Sequence, residues 1–319
     1  MIVRVSAASR LHFGLLHVPV PGVADDERNP PLRKFGGLGL MVDRPGVVLE
    51  VTESNAWRFE GSLAVRAKAF VERMAFKRPL FVNANGPPEH VGLGIGTALG
   101  MAIADALSTF EGHPNRTANE LASHCGRGER SGIGVSGYRS GGFILDVGKR
   151  DGEAISVCQS FPFPEDWRVV IARPHVKSTW SGESERAAFA RPRSLDESLA
   201  NQSRLEKLLC QTILPALASH DFAAFANSLS DYNRIAGEPF VADQGGVYST
   251  PEVANLIGTI KCMKRDSYGQ SSWGPSVFAI LPSEETAGVR ARVLPRTSHG
   301  LDSVIVARAA GPARVEVLN

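Results

Sequence analysis

Four short segments of the chain gather the residue types that handle anions. In Glu89-His-Val-Gly-Leu-Gly-Ile-Gly-Thr-Ala98, glycines alternate and then enter a run of small residues, Ala98 to Leu107, that reads as a helix. Glycine lets backbone come close to a ligand, and the free N–H groups at a helix start carry partial positive charge. Gly92, Gly94, Gly96 and Thr97 are therefore expected to cradle phosphate oxygens. The segment is neither a Walker A loop, which needs Gly-Lys-Thr/Ser, nor a dinucleotide fingerprint, whose spacing and acidic follower are missing. The plainer alternative is a glycine turn that only packs helix on strand.

In Gly126-Arg-Gly-Glu-Arg-Ser-Gly-Ile-Gly134, two guanidinium forks, Arg127 and Arg130, sit among glycines beside Ser131 and Gly132. Such forks take phosphate or carboxylate bidentately, whereas a solvated basic turn needs no bracketing glycines. Ser9-Arg-Leu-His-Phe-Gly14 alternates Arg10, His12 and Gly14 on one strand face with Leu11, Phe13 and Leu15 on the other. A lone histidine in a strand is usually a satisfied core residue; Arg10 and His12 together on one face point to a site. Gln270-Ser-Ser-Trp-Gly-Pro-Ser276 precedes the apolar strand Val277–Leu281, and on its own it is as consistent with an ordinary turn as with a binding loop.

Strands and helices must bring these segments together. Met1 to Ala7 alternates as a strand, and Gly39–Asp43 and Val47–Thr52 read as two strands around an Arg-Pro-Gly turn. Leu63 to Phe76 has helical spacing, Leu80–Asn83 is strand-like, and Thr117-Ala-Asn-Glu120 fits a capping box before Leu121–Cys125. Gly141–Asp146 and Trp167–Ala172 read as strands, with a domain boundary at Phe161–Pro164 dividing 1–160 from 161–319. Pro19 to Lys34 reads as a mobile surface loop and 176–202 as an aperiodic loop over the cleft. Helices are expected at Ser203–Ser219, His220–Ile235, Pro251–Cys262 and Glu284–Arg292, and strands at Val277–Leu281 and Ser303–Ala307.

Composition narrows the class. At 319 residues the chain suits two domains sharing a cleft, and 43% hydrophobic with 21% charged residues is ordinary globular usage. A net charge of +2 and 7% aromatic residues disfavour a nucleic-acid partner or an anionic membrane. No apolar run reaches a membrane span and the first eighteen residues carry charge, so a cytoplasmic location is expected. Cys125, Cys158, Cys210 and Cys262 stand far apart without CxxC or zinc spacing, which favours reduced thiols.

Taken in chain order, from the strand at Ser9 through Gly92–Thr97 and Ser131–Gly134 to the loop at Gln270, the four segments resemble the motifs of the GHMP-kinase superfamily. Ala8–Leu16, His90–Thr97, Gly126–Val135, Gly141–Asp146, Asp166–Arg168 and Gln270–Pro275 are more closely similar to β-ribofuranosylaminobenzene 5'-phosphate synthases. The resemblance runs over nearly the whole chain. It implies an α+β, GHMP-kinase-like two-domain fold with a ribosomal S5 domain 2-like N-terminal domain and a ferredoxin-like C-terminal domain. It also implies 5-phosphoribosyl 1-pyrophosphate and 4-aminobenzoate or 4-hydroxybenzoate as substrates, on a route to methanopterin, and a possible homodimer. Mg²⁺ carried on the pyrophosphate, with Thr97 as its protein contact, is the implied metal, and no redox cofactor is implied. Arg10, His12, Arg127, Arg130 and Asp146 become the catalytic candidates, and Gly92, Gly94, Gly96, Thr97, Ser131, Gly132, Ser271, Ser272, Trp273 and Gly274 the substrate contacts.

Two positions depart from kinase members. Gly134 stands where those carry an aspartate, three residues after the motif serine, and Ser123 stands where they carry a magnesium-binding glutamate. An ATP-dependent small-molecule kinase and a non-catalytic phosphosugar-binding protein remain the competing readings, the first weakened by Gly134.

Overall fold

The computed structural model describes residues 1–22, 32–176, 182–263, 266–298 and 300–318. Residues 23–31 of the expected loop Pro19 to Lys34, and 177–181 of the expected loop 176–202, lie outside the described residues.

The N-terminal half comprises β1 (Ile2–Leu15), β2 (Gly37–Glu53), β3 (Arg58–Glu60), α1 (Ala64–Arg73), β4 (Leu80–Asn85), α2 (Ile95–Phe110), α3 (Ala118–Cys125), α4 (Ile133–Ser140), β5 (Phe143–Asp146) and β6 (Cys158–Phe161). The rest comprises β7 (Arg168–Pro174), α5 (Gly182–Ala190), α6 (Leu195–Leu208), α7 (Leu214–Ser219), α8 (Phe222–Gly237), α9 (Val241–Gln244), α10 (Pro251–Cys262), β8 (Ser267–Gln270), β9 (Val277–Leu281), α11 (Glu284–Thr297), β10 (Leu301–Ala307) and β11 (Arg314–Leu318). A first sheet runs β11-β1-β2-β4-β3, with β5 on β2 and β6 on β5; a second, antiparallel sheet runs β10-β7-β9-β8. Its order and intervening helices are the β-α-β-β-α-β arrangement of ferredoxin-like domains. The last strand leaves that sheet and pairs with β1, from Ile2↔Leu318 to Ser6↔Arg314.

Alternation in β1 buries Val3, Val5, Leu11 and Phe13 completely, each burial contributing about 1.5–3 kcal/mol. Arg44-Pro45-Gly46 is not a hairpin turn: β2 passes straight through it. Ala7 pairs with Val47 and Ser9 with Val42, so a bulge against β1 absorbs the four intervening residues. Helix α2 is apolar nearly all round and is buried accordingly, from Ile95 to Phe110.

The reading of 176–202 as irregular needs correction, because 182–190 and 195–202 are helical as α5 and α6. Each buries a single residue, Ala188 or Leu205, so neither writes an apolar stripe into the sequence. Ser194 caps α6 by accepting from the Glu197 N–H.

One apolar core spans both sheets, including Val5 and Phe13 of β1, Phe225 and Tyr232 of α8 and Phe278 of β9. Asn233 of α8 pins the strands at that junction. Its amide donates to the Phe13 and Gln270 carbonyls at 2.8 and 2.9 Å, and its oxygen accepts from the Gln270 N–H at 3.0 Å. No helix among the described residues is long and apolar enough to cross a membrane.

Candidate functional site

Where β1, the start of α2 and the 270–276 loop meet, the backbone is drawn unusually tight. Gly92 and Gly274 cross so closely that a Cβ on Gly274 would enter the backbone of Val91 and Gly92, and one on Gly92 would strike the Ser271 carbonyl oxygen. Ser271 ties the crossing together: its hydroxyl accepts from the His12 N–H at 3.0 Å and donates to the Gly92 carbonyl at 2.6 Å. The Arg10 N–H donates to the Leu93 carbonyl at 2.9 Å, and Ser272 N–H to the His12 carbonyl at 3.0 Å. Gly94, at φ +67°, caps α2 in a left-handed conformation that glycine adopts without strain.

Two adjoining cavities open there. A larger one of about 530 Å³ is lined by Arg10, His12, Thr97, Arg127, Arg130, Ser131, Ser272 and Trp273. A smaller one of about 200 Å³ is lined by Gly92, Gly94, Gly96, Thr97 and Gly274, and shares Arg10, Arg127, Ser272 and Trp273 with the first. Of the residues singled out in the sequence, Asp146, Gly132 and Ser271 line neither cavity. Asp146 is fully buried behind the second motif, accepting from the N–H groups of Gly132 at 2.6 Å and Gly148 at 2.9 Å and from the Ser131 hydroxyl at 3.2 Å. It shapes the Ser131–Gly132 turn, and burial raises its pKa against those hydrogen bonds.

Guanidinium groups crowd the helix mouth. A Cβ on Gly94 would lie 3.1 Å from Arg10 Nε, and one on Gly96 would lie 3.0 Å from Arg127 Nη2 and 3.2 Å from Glu89 Oε1. Glu89 also pairs with Arg66 at 3.1 Å. The Nε atoms of Arg10 and Arg127 are buried without a hydrogen-bond partner. Burial lowers the Arg10 pKa to about 10, and lowers that of Arg127 with help from nearby Arg66; Arg10 stays charged at neutral pH. Glu89 offsets Arg127 and Glu185 offsets Arg10 in part, and the helix's positive end adds to the charge that remains. The arrangement therefore suits a multiply charged anion.

His12 is a neutral donor. Its Nδ1 accepts from the Gly14 N–H at 3.1 Å, which leaves the proton on Nε2, and burial followed by the Arg10 charge pushes its pKa well below the usual value.

Several lining residues were not singled out in the sequence. Glu185 and Phe189 come from α5, Phe35 from the segment before β2, and Phe240 from the turn after α8. Glu185 forms an ion pair with Arg130, whose guanidinium lies 5.3 Å from the Phe189 ring centre. Phe189 and Phe240 pack edge to face on Trp273 at 5.9 and 4.5 Å. No local pattern marks these positions.

This architecture is the GHMP-kinase fold. The chain superposes on homoserine kinase from Cytophaga hutchinsonii with a TM-score of 0.69 at 16% identity, covering 99% of this chain and 97% of that one. Mevalonate diphosphate decarboxylase from Staphylococcus aureus gives 0.64 at 13% identity, with 99% of each chain covered. A complex described as MDDEF with MVAPP, AMPPCP and magnesium gives 0.66 at 14% identity, again over 99% of each chain. No family model matches the chain.

Its curated relatives bear out the resemblance read from the motifs, under the name of the phenol rather than the aminobenzene form. The chain is similar to β-ribofuranosylphenol 5'-phosphate synthase of Methanothermobacter thermautotrophicus, at 28% identity over 91% of this chain and 92% of that protein. The Archaeoglobus fulgidus synthase is 28% identical over 88% of each chain, and the Methanocaldococcus jannaschii synthase 24% identical over 86% of this chain and 88% of its own.

Proposed function

We propose that the protein joins 5-phosphoribosyl 1-pyrophosphate to 4-hydroxybenzoate or 4-aminobenzoate, giving an aryl C-riboside 5'-phosphate, carbon dioxide and pyrophosphate, as an early step toward methanopterin. The observation that carries the reading is the pair of buried guanidinium groups, Arg10 and Arg127, with unpartnered Nε atoms against the glycine mouth of α2. A kinase has the same need for phosphate but also needs a carboxylate near its acceptor hydroxyl. At Gly134 the nearest atoms to a side chain would be Thr97 Cγ2, Thr97 Cβ and Arg10 Cδ, so the motif itself supplies no carboxylate there, and Glu185, an acid of the cavity lining, is paired with Arg130.

In the proposed reaction the anomeric C–O bond breaks and its electron pair leaves with pyrophosphate. The ring carbon bearing the carboxylate bonds to the cationic anomeric carbon, driven by the para oxygen or nitrogen. The ring–carboxylate bond then breaks, its electrons restore aromaticity, and carbon dioxide departs. Arg10, Arg127 and the amides at Gly92–Thr97 stabilise the charge gathering on the leaving group. His12, with Nε2–H free to donate, suits an oxygen at the para position.

Magnesium fits this site as a passenger of the substrate. Thr97 offers a hydroxyl at the mouth and Glu89 a carboxylate, and among the described residues no cluster of three or more metal-binding side chains forms a cage. When bound, it supplies further charge neutralisation on the diphosphate.

Incubation with phosphoribosyl pyrophosphate, Mg²⁺ and carboxyl-labelled 4-hydroxybenzoate or 4-aminobenzoate should release labelled carbon dioxide, and in unequal amounts that identify the arene. No release from either would defeat the proposal, as would ATP-dependent phosphorylation of a small-molecule acceptor in its place. Arg130→Ala should cut release by roughly 100-fold or more while leaving the fold intact.

A further inference from the structure

The two cavities differ in chemistry, and the difference divides the substrates between them. The smaller is made largely of backbone at the helix mouth with Glu89 and with Arg10, Arg66 and Arg127, which border the larger cavity too, a lining for a hydrated or metal-bearing diphosphate. The larger extends away from the mouth along an aromatic wall. Phe35 packs edge to face on Phe189 at 5.3 Å, and Phe189 and Phe240 do the same on Trp273. A diphosphate would lose its hydration against that wall without recompense. A planar arene gains ring contacts there.

At the edge of the wall stands Arg130, already occupied by a carboxylate of the protein itself, Glu185, while Arg193 lies over the Phe240 ring at 5.0 Å and Arg186 lines the same cavity. Glu185 lines both cavities. Resting on the reading above, we propose that Arg130, Phe189 and Phe240 form an aryl-carboxylate subsite in which the arene's carboxylate exchanges with that of Glu185 on the Arg130 guanidinium.

The exchange has a chemical consequence. A strong unopposed grip on the arene's carboxylate would stabilise the ground state and slow loss of carbon dioxide, which carries no charge. Glu185 weakens that grip and stands ready to re-pair with Arg130 as the carboxylate disappears. Glu185 is thus a positioning residue that trades arene affinity for turnover.

The test measures binding of 4-hydroxybenzoate, 4-aminobenzoate and pyrophosphate separately by calorimetry, alongside release of labelled carbon dioxide. Glu185→Gln should tighten arene binding roughly tenfold, lower kcat, and change pyrophosphate affinity by less than it changes arene affinity. Phe189→Leu should weaken arene binding roughly tenfold, again with pyrophosphate binding kept, which also reports that the variant is folded. Arg127→Ala should do the converse. Weaker arene binding in Glu185→Gln, or equal losses of arene and pyrophosphate in Phe189→Leu, would overturn the subsite while labelled release by the wild type kept the overall reaction. Wild-type arene binding with the expected variant pattern but no labelled release would keep the subsite and remove the reaction. Absence of any arene binding removes the subsite outright.

Discussion

At Gly134 a side chain would stand 3.2 Å from Thr97 Cγ2 and 3.9 Å from Arg10 Cδ, so the missing carboxylate also leaves these two groups room. Gly134→Asp would put an anion beside Arg10, where it competes with the substrate's phosphate. Pyrophosphate affinity measured by calorimetry should fall about tenfold or more, and unchanged affinity would detach Arg10 from the anion site. His12 and His17 both have pKa values lowered chiefly by burial. The unfolded chain therefore binds more protons than the fold below about pH 6.5, and stability contributed by these groups is complete above that value and lost as pH falls. The urea midpoint should drop between about pH 7.5 and about pH 5.5, and His12→Gln should drop less over the same interval. A parallel drop would place the effect elsewhere.

The elements explain how residues so far apart meet. The end of β1 delivers Arg10 and His12, the α2 mouth delivers the glycines, and the loop between β8 and β9 closes over both through Ser271. Ser271→Ala would leave the His12 N–H buried without its partner, at a cost of about 1–3 kcal/mol, and should weaken pyrophosphate binding along with the melting temperature. A lower melting temperature with intact affinity would limit Ser271 to the fold. The first two elements were legible because glycine spacing and strand alternation are local patterns, whereas the loop at 270–276 read equally well as an ordinary turn. Helices α5 and α6 were not, because α5 is held by Phe189 in the aromatic cluster and by Glu185 on Arg130, contacts made across 55 residues in the latter case. The start of α6 did leave a trace in Ser194 followed by Asp196 and Glu197, a cap with acidic residues in the first turn.

Over the whole molecule, the site lies at the seam between the sheets, where one apolar core continues from β1 through α8 to β9. The last strand strengthens that seam by covering the open edge of β1, with Val3 opposite Val317 and Val5 opposite Val315. Truncation after Ala313 should expose the β1 edge, lower the melting temperature and promote concentration-dependent self-association in sedimentation experiments. A monomer as stable as the full chain would show that β11 adds nothing to the fold.

The sequence alone determined the superfamily architecture and singled out the segments proposed to handle anions, since a glycine-led helix start, paired arginines and strand alternation act over a few residues and leave their pattern in order. It also exposed Gly134, because a side chain absent from a motif is visible without coordinates. Tertiary structure decided which candidates face the cavities. Asp146 turned inward to hold a loop, while Glu185, Phe189 and Phe240 entered the lining from helices and turns with no motif of their own. Such contacts depend on how the two sheets pack around α8, a property of the whole chain that no short window of residues records.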